Sequence, residues 1–143
     1  MSEIIMKKKK AKAFTLIELI IVLAIMAIIA AIAIPNFMAV RDSSKAKADT
    51  QSKATIQRTV LMLVSDGTIG AGAKTATLDF NADGSIKGLK GSTFDGASTD
   101  VTVAAATNTN LALLNALKDT KAPQVSTETF IIIIDSSGNV TVN

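Results

Sequence analysis

The chain has 143 residues, 15 Lys and Arg against 12 Asp and Glu, and neither Cys nor His. That length holds one small domain, and the missing Cys and His exclude disulfides, thiol catalysis, His-based triads and zinc sites built on either residue. The net charge of +3 would suit an anionic partner, but residues 1–13 hold five lysines and one acid, which leaves ten basic and eleven acidic groups in the other 130 residues.

In chain order, the basic stretch 1–13 carries Lys7, Lys8, Lys9, Lys10 and Lys12. Residues 14–34 follow, with 19 apolar side chains of 21, interrupted only by Thr15 and Glu18. As a helix this segment is about 31 Å long, against about 30 Å for the hydrocarbon core of a bilayer, so it is expected to span a membrane. Lysines cluster before it and no basic residue follows Lys12 until Arg41. That asymmetry puts the N-terminus in the cytoplasm and the remainder outside. Ala31-Ile32-Ala33 offers a small-residue site for ordinary secretory cleavage, but the apolar stretch exceeds the roughly 7–15 residues of such signals.

Pro35 to Asp66 continues as helix, free of Gly and rich in Ala, Lys, Gln and Met. Ile56, Val60 and Val64 recur every four residues with Leu63 on the flank, which gives the last turns one apolar face. Asp66-Gly67 is the stop signal. Pro35 removes one backbone hydrogen bond and predicts a kink without requiring two helices.

From residue 67 the chain turns to short β-prone runs punctuated by Gly, Thr, Ser, Asn and Asp. Thr77 to Phe80 and Ser85 to Leu89 flank Asn81-Ala82-Asp83-Gly84, a hairpin signal. Val101 to Ala104 reads as a short strand. Asn110 to Lys118 reads as a short helix through Leu111, Leu114 and Leu117. Thr129 to Ile134 and Asn139 to Val142 flank Asp135-Ser136-Ser137-Gly138 as a terminal hairpin. Its first arm, Phe130 to Ile134, is apolar on both faces and is expected to be central and covered, since an exposed run of this kind aggregates. A 77-residue head without disulfides is marginal alone, and the Ile56/Val60/Leu63/Val64 face supplies the missing half of its core. The expected fold class is α+β: one long helix, membrane-spanning in its first half, packed on a small antiparallel sheet.

Two local patterns point elsewhere, and both fall short. Gly67 to Thr75 approaches a phosphate-binding loop, but Ala73 separates the second glycine from Lys74, and the loop follows a helix instead of a strand. Asp79, Asn81 and Asp83 match the first half of a calcium loop, but the twelfth position is Lys90 where an acid is needed. A hairpin turn explains those residues better, so no metal or other cofactor is expected. Five phenylalanines and no Trp or Tyr give little support to stacking on nucleic acid or to an electron-conducting array of rings.

Glu18 is the informative residue. A carboxylate within a membrane segment costs about 2.5–3.5 kcal/mol on insertion scales and normally has a partner. No Lys or Arg lies between Lys12 and Arg41, so Glu18 either sits near the membrane surface with Lys12 as a loose partner or meets an amine created by cleavage before Phe14. Lys12-Ala13-Phe14-Thr15-Leu16-Ile17-Glu18-Leu19, followed by the apolar run to Ile34-Pro35-Asn36-Phe37, resembles the class III signal of type IV pilins and pseudopilins. The resemblance covers about 35 residues. It implies a leader, 1–13, removed between Ala13 and Phe14 by a prepilin peptidase that also N-methylates Phe14. It implies a helix, 14–66, whose part 14–34 is membrane anchor and then filament core, and an α+β head, 67–143, together the pilin fold. Glu18 would neutralise a terminal amine during assembly and Pro35 would bend the helix. Ala13 departs from the glycine usual before the scissile bond, and the lack of a disulfide departs from many pilins.

What the resemblance implies is a structural subunit and not an enzyme. Its partners would be copies of itself, the prepilin peptidase, the ATPase-driven assembly platform and the membrane, with no specific nucleic-acid or small-molecule ligand. It would pass from a single-pass cytoplasmic-membrane precursor to an extracellular pilus serving adhesion, twitching motility or DNA uptake. The alternatives are a pseudopilin of a type II secretion or competence system, or an uncut single-pass membrane protein with a ligand-binding head. Arg41, Asp42, Lys45, Lys47, Asp49, Lys53 and Arg58 alternate in sign along the helix; Arg41, Asp42 and Lys45 among them are candidate inter-subunit contacts or simply a solvated face.

Overall fold

A computed structural model describes residues 14–70, 72–96, 98–125 and 129–143. They form two compact units, Met1–Val40 and Arg41–Asn143. Helix α1, Leu16–Ser65, contributes to both and carries Pro35 in its interior.

The first unit is helical from Leu16 onward. Every large apolar side chain from Phe14 to Val40 is more than half exposed. A segment that is apolar on all sides leaves no face for water, and none of the described residues of this unit covers it.

The second unit is built on a five-stranded antiparallel sheet: β1 Lys74–Phe80, β2 Ile86–Ser92, β3 Thr99–Thr102, β4 Ile131–Ile134 and β5 Val140–Val142, in the order β3-β2-β1-β4-β5. The β1–β2 hairpin pairs Thr77 with Lys90 and Leu78 with Leu89, closing through Asn81 to Ser85. Helix α2, Asn108–Leu117, lies in the crossover from β3 to β4. The part of α1 in this unit supplies Ile56 and Val60, both fully buried with Leu113, Phe130 and Ile132, and Leu63 and Val64 pack at the margin. Phe80 meets Phe130 edge to face at 6.0 Å. Gly67, at φ +81°, ends α1: its N–H bonds to the Val64 carbonyl and the Ile69 N–H to that of Leu63, so the last carbonyls are satisfied by a left-handed residue. Gly88 allows the closest backbone approach, since a Cβ there would stand 2.1 Å from the Val101 carbonyl oxygen.

Four local expectations are corrected. The hairpin strands are longer than Thr77 to Phe80 and Ser85 to Leu89. The strand expected at Val101 to Ala104 lies two residues earlier, and Val103–Ala105 instead forms one 3-10 turn. The buried stripe of α2 is Asn110, Leu113, Leu114 and Leu117, whereas Leu111 is 39% exposed. Positions i, i+3, i+4 and i+7 share one helical face, but i, i+3 and i+6 drift off it. Finally, β4 lies between β1 and β5 as expected, but only its Ile132 and Ile134 face is covered. Ile133 is 37% exposed.

Candidate functional site

At the start of α1 the backbone N–H of Thr15 donates to Glu18 Oε2 at 2.8 Å, and the Thr15 hydroxyl donates to the same oxygen at 2.7 Å. The Glu18 N–H donates in return to Thr15 Oγ1 at 3.3 Å. With helix from Leu16, Thr15 is the N-cap and Glu18 the third helical position, which makes a reciprocal capping box. Two orphan donors of the first turn are thereby satisfied, and the carboxylate stands where the helix dipole favours negative charge. The signal was present in the sequence as Thr-x-x-Glu before an apolar run. Reading Glu18 only as an unpaired membrane charge missed it. Phe14 is 80% exposed immediately before the cap. Ala13, and with it the expected scissile bond, lies outside the described residues.

Pro35 sits within α1, which continues as helix on both sides of it. Arg41 Nε lies 3.7 Å from Asp42 Oδ1, with both side chains mostly exposed. Such a pair is worth little in water. Lys45 is half-buried beside Gln124 and Val125.

Asp49 is the residue that sequence reasoning placed wrongly. Read as part of the charge alternation, it is 2% exposed. Its carboxylate accepts the Gln124 N–H at 2.7 Å on one oxygen and the Val125 N–H at 2.9 Å on the other. Two charge-assisted bonds to backbone offset the desolvation of the ion and clamp segment 121–125 onto α1. Gln57 adds a second tie by donating from Nε2 to the Val140 carbonyl at 2.7 Å. No spacing in the sequence announces either contact, because each partner lies more than 70 residues away.

The calcium-loop residues do not converge. Asp79 is engaged by Lys90 at 3.0 Å and Lys87 at 3.3 Å, and the Lys90 ammonium holds its carboxyl below the usual range. Asp83 accepts from the Ser85 backbone and hydroxyl, and Asn81 donates to Ser85 Oγ. Among the described residues no three acidic, His or Cys side chains are placed to share a metal ion. Another polar cluster serves structure. Asp95, from the β2–β3 loop, accepts the Thr109 and Asn110 N–H groups and the Asn110 carboxamide. It thereby caps α2 in place of Thr107, whose side chain makes no cap.

Comparison with known proteins bears on the N-terminal half. Residues 8–34 match the family model of the prokaryotic N-terminal methylation motif. The chain is also 52% identical over 65 residues to prepilin peptidase-dependent protein A of Clostridium perfringens (strain 13 / Type A), a match covering 46% of this chain and 46% of that protein. Both matches support a type IV pilin-like or pseudopilin-like protein. No solved structure matches it significantly. The methylation motif coincides with a helix long and apolar enough to cross a membrane, none of whose spanning window is buried in the fold. Motif and helix together fit a membrane-anchored precursor.

Proposed function

We propose that the chain is the structural subunit of a type IV pilus-like filament. A prepilin peptidase cuts between Ala13 and Phe14 and N-methylates Phe14, releasing the leader 1–13. The helix 14–66 anchors the subunit through 14–34 and then lines the filament core, and the head 67–143 forms the outer surface. The observation that carries this reading is a methylation motif set on an apolar segment uncovered on every side. Returning each of its large side chains to water would cost about 1.5–3 kcal/mol, so after leaving the bilayer the segment must bury against its like. The name of the Clostridium perfringens relative supports dependence on a prepilin peptidase. The protein is not an enzyme in this reading. Its partners are other copies, the peptidase and the ATPase-driven assembly platform, and the filament is extracellular, serving adhesion, twitching or DNA uptake.

Glu18 pairs with the Phe14 amine of its own or a neighbouring subunit during assembly, leaving or sharing the capping box, and a mismatched register leaves that charge unpaired. Pro35 lets the helix bend, and Arg41, Asp42 and Lys45 contact neighbouring subunits. Sheared filaments from cells expressing the chain test this. Glu18→Ala and Glu18→Gln should both insert normally and both lose most of the filament yield. Wild-type yield from Glu18→Gln, which retains a hydrogen-bonding cap without the charge, would reduce Glu18 to a helix cap. Loss of secretion or transformation in the absence of surface filaments would favour a pseudopilin. An intact leader on a monomeric membrane protein would favour a single-pass receptor.

A further inference from the structure

The second unit holds its part of α1 in two different ways. Ile56 and Val60 are fully buried, and Leu63 and Val64 pack against the same core. Between residues 41 and 55 the helix carries no apolar side chain larger than alanine, and the buried residue of that stretch is Asp49. Facing it is a strap, residues 121–125, in which no side chain is buried. Three backbone N–H groups fasten the strap. Those of Gln124 and Val125 donate to the Asp49 carboxylate at 2.7 and 2.9 Å. That of Ala122 donates to the Gly84 carbonyl, in the β1–β2 turn, at 3.1 Å. Bonds to a carboxylate are about twice as strong as the neutral kind. Lys121 also attracts the exposed Asp83 carboxylate, a contribution that water screens. One side chain therefore carries most of the attachment.

Open space flanks the strap on both sides. Clefts of about 440 and 410 Å³ lie against it, and both are lined by Ala48 and Ser52 of α1 and by Lys121 of the strap. A segment with few buried apolar contacts opens at lower cost than the core beside it. Hydration also returns to the Asp49 carboxylate on opening, and that offsets part of the two bonds it loses. We propose that residues 121–125 are a latched strap that swings off α1 while the core stays folded. Asp49 sets the balance between the closed and open arrangements, and opening merges the two clefts into one groove along α1. The device lies within the second unit and is independent of membrane insertion and of filament formation.

Amide hydrogen exchange of the full chain in detergent micelles, at rising but subdenaturing urea, tests the separation of strap from core. The Gln124 and Val125 amides should exchange at least about tenfold faster than those of Val60 and Ile132. Their rates should be nearly independent of urea, since the urea slope scales with the surface exposed, whereas the core amides should accelerate steeply. Equal rates with equal slopes would mean that strap and core open together and would overturn the proposal. The chain has no cysteine, so spin labels can be placed in pairs. Lys47→Cys with Lys121→Cys reports α1 against the strap, and Arg58→Cys with Lys90→Cys reports α1 against β2. Adding Asp49→Ala should broaden the first distance distribution and leave the second narrow. A strap distance that stays narrow would overturn the latch. Broadening of both pairs would overturn the independence of the strap from the core.

Discussion

The two units solve opposite problems with apolar side chains. In Phe14–Val40 they point in all directions and none of the large ones is buried. In the second unit α1 presents only a stripe, and Ile56 and Val60 vanish into a core shared with α2 and the sheet. One region is finished by its own chain. The other is finished only by surroundings, first lipid and then, in the filament reading, other copies. A single helix can serve both because helix formation depends on local backbone geometry and propensity, while burial depends on which faces carry apolar groups.

The sharpest way to break this contrast is at the junction with the leader. Ala13→Arg should leave residues 1–13 attached to essentially all of the protein, seen as an unshifted intact mass, while the head folds normally by protease resistance. Next in size is a matched pair. Ile56→Ala should destabilise the second unit by about 2–5 kcal/mol, whereas Ile25→Ala, with its side chain 52% exposed, should leave thermal unfolding of that unit unchanged in detergent. Equal effects would mean that the two units are not energetically separate. Asp49→Asn comes third. An asparagine offers one acceptor where two N–H donors arrive, so a loss of about 1–3 kcal/mol is expected, with faster proteolysis confined to segment 121–125.

The smallest effect is that of pH. Asp66, Asp79, Asp83 and Asp135 all have carboxyls held below their usual range, by Thr68, Lys90, Ser85 and Asn139 respectively. A depressed folded pKa contributes stability above the unfolded pKa and loses it as pH falls through the folded value. With no His in the chain, the melting temperature of the second unit should be flat from about pH 5 to 8 and decline below about pH 4. A step between pH 6 and 7 in circular-dichroism melts would contradict that assignment.

The sequence was most legible where one physical effect dominates. Unbroken hydropathy located the exposed rod, and the four-residue repeat of Ile56 and Val60 located the helix face that completes the core. Asn81 to Gly84 and Asp135 to Gly138 marked the hairpins through turn chemistry. Reading failed where two weak signals compete or a distant partner decides. In α2 a leucine spacing of three concealed the true stripe through Asn110 and Leu113. Ile133 lies on a sheet face that none of the described elements covers, which a both-sided apolar run could not reveal. Asp49 was unreadable because its donors are backbone groups at Gln124 and Val125, and main-chain N–H groups leave no mark in sequence. At the candidate site, Phe14 and Glu18 were legible from their motif. The capping bond between Thr15 and Glu18 was equally available, but the charge drew attention from it.

The central claim is that the exposed rod begins at a processed Phe14. Intact mass and N-terminal sequencing of the membrane-extracted protein test it most directly. The account predicts a chain that starts at N-methylated Phe14 and lacks residues 1–13. A chain starting at Ile34, as ordinary secretion through Ala31-Ile32-Ala33 would give, or one retaining its leader in full, would contradict it.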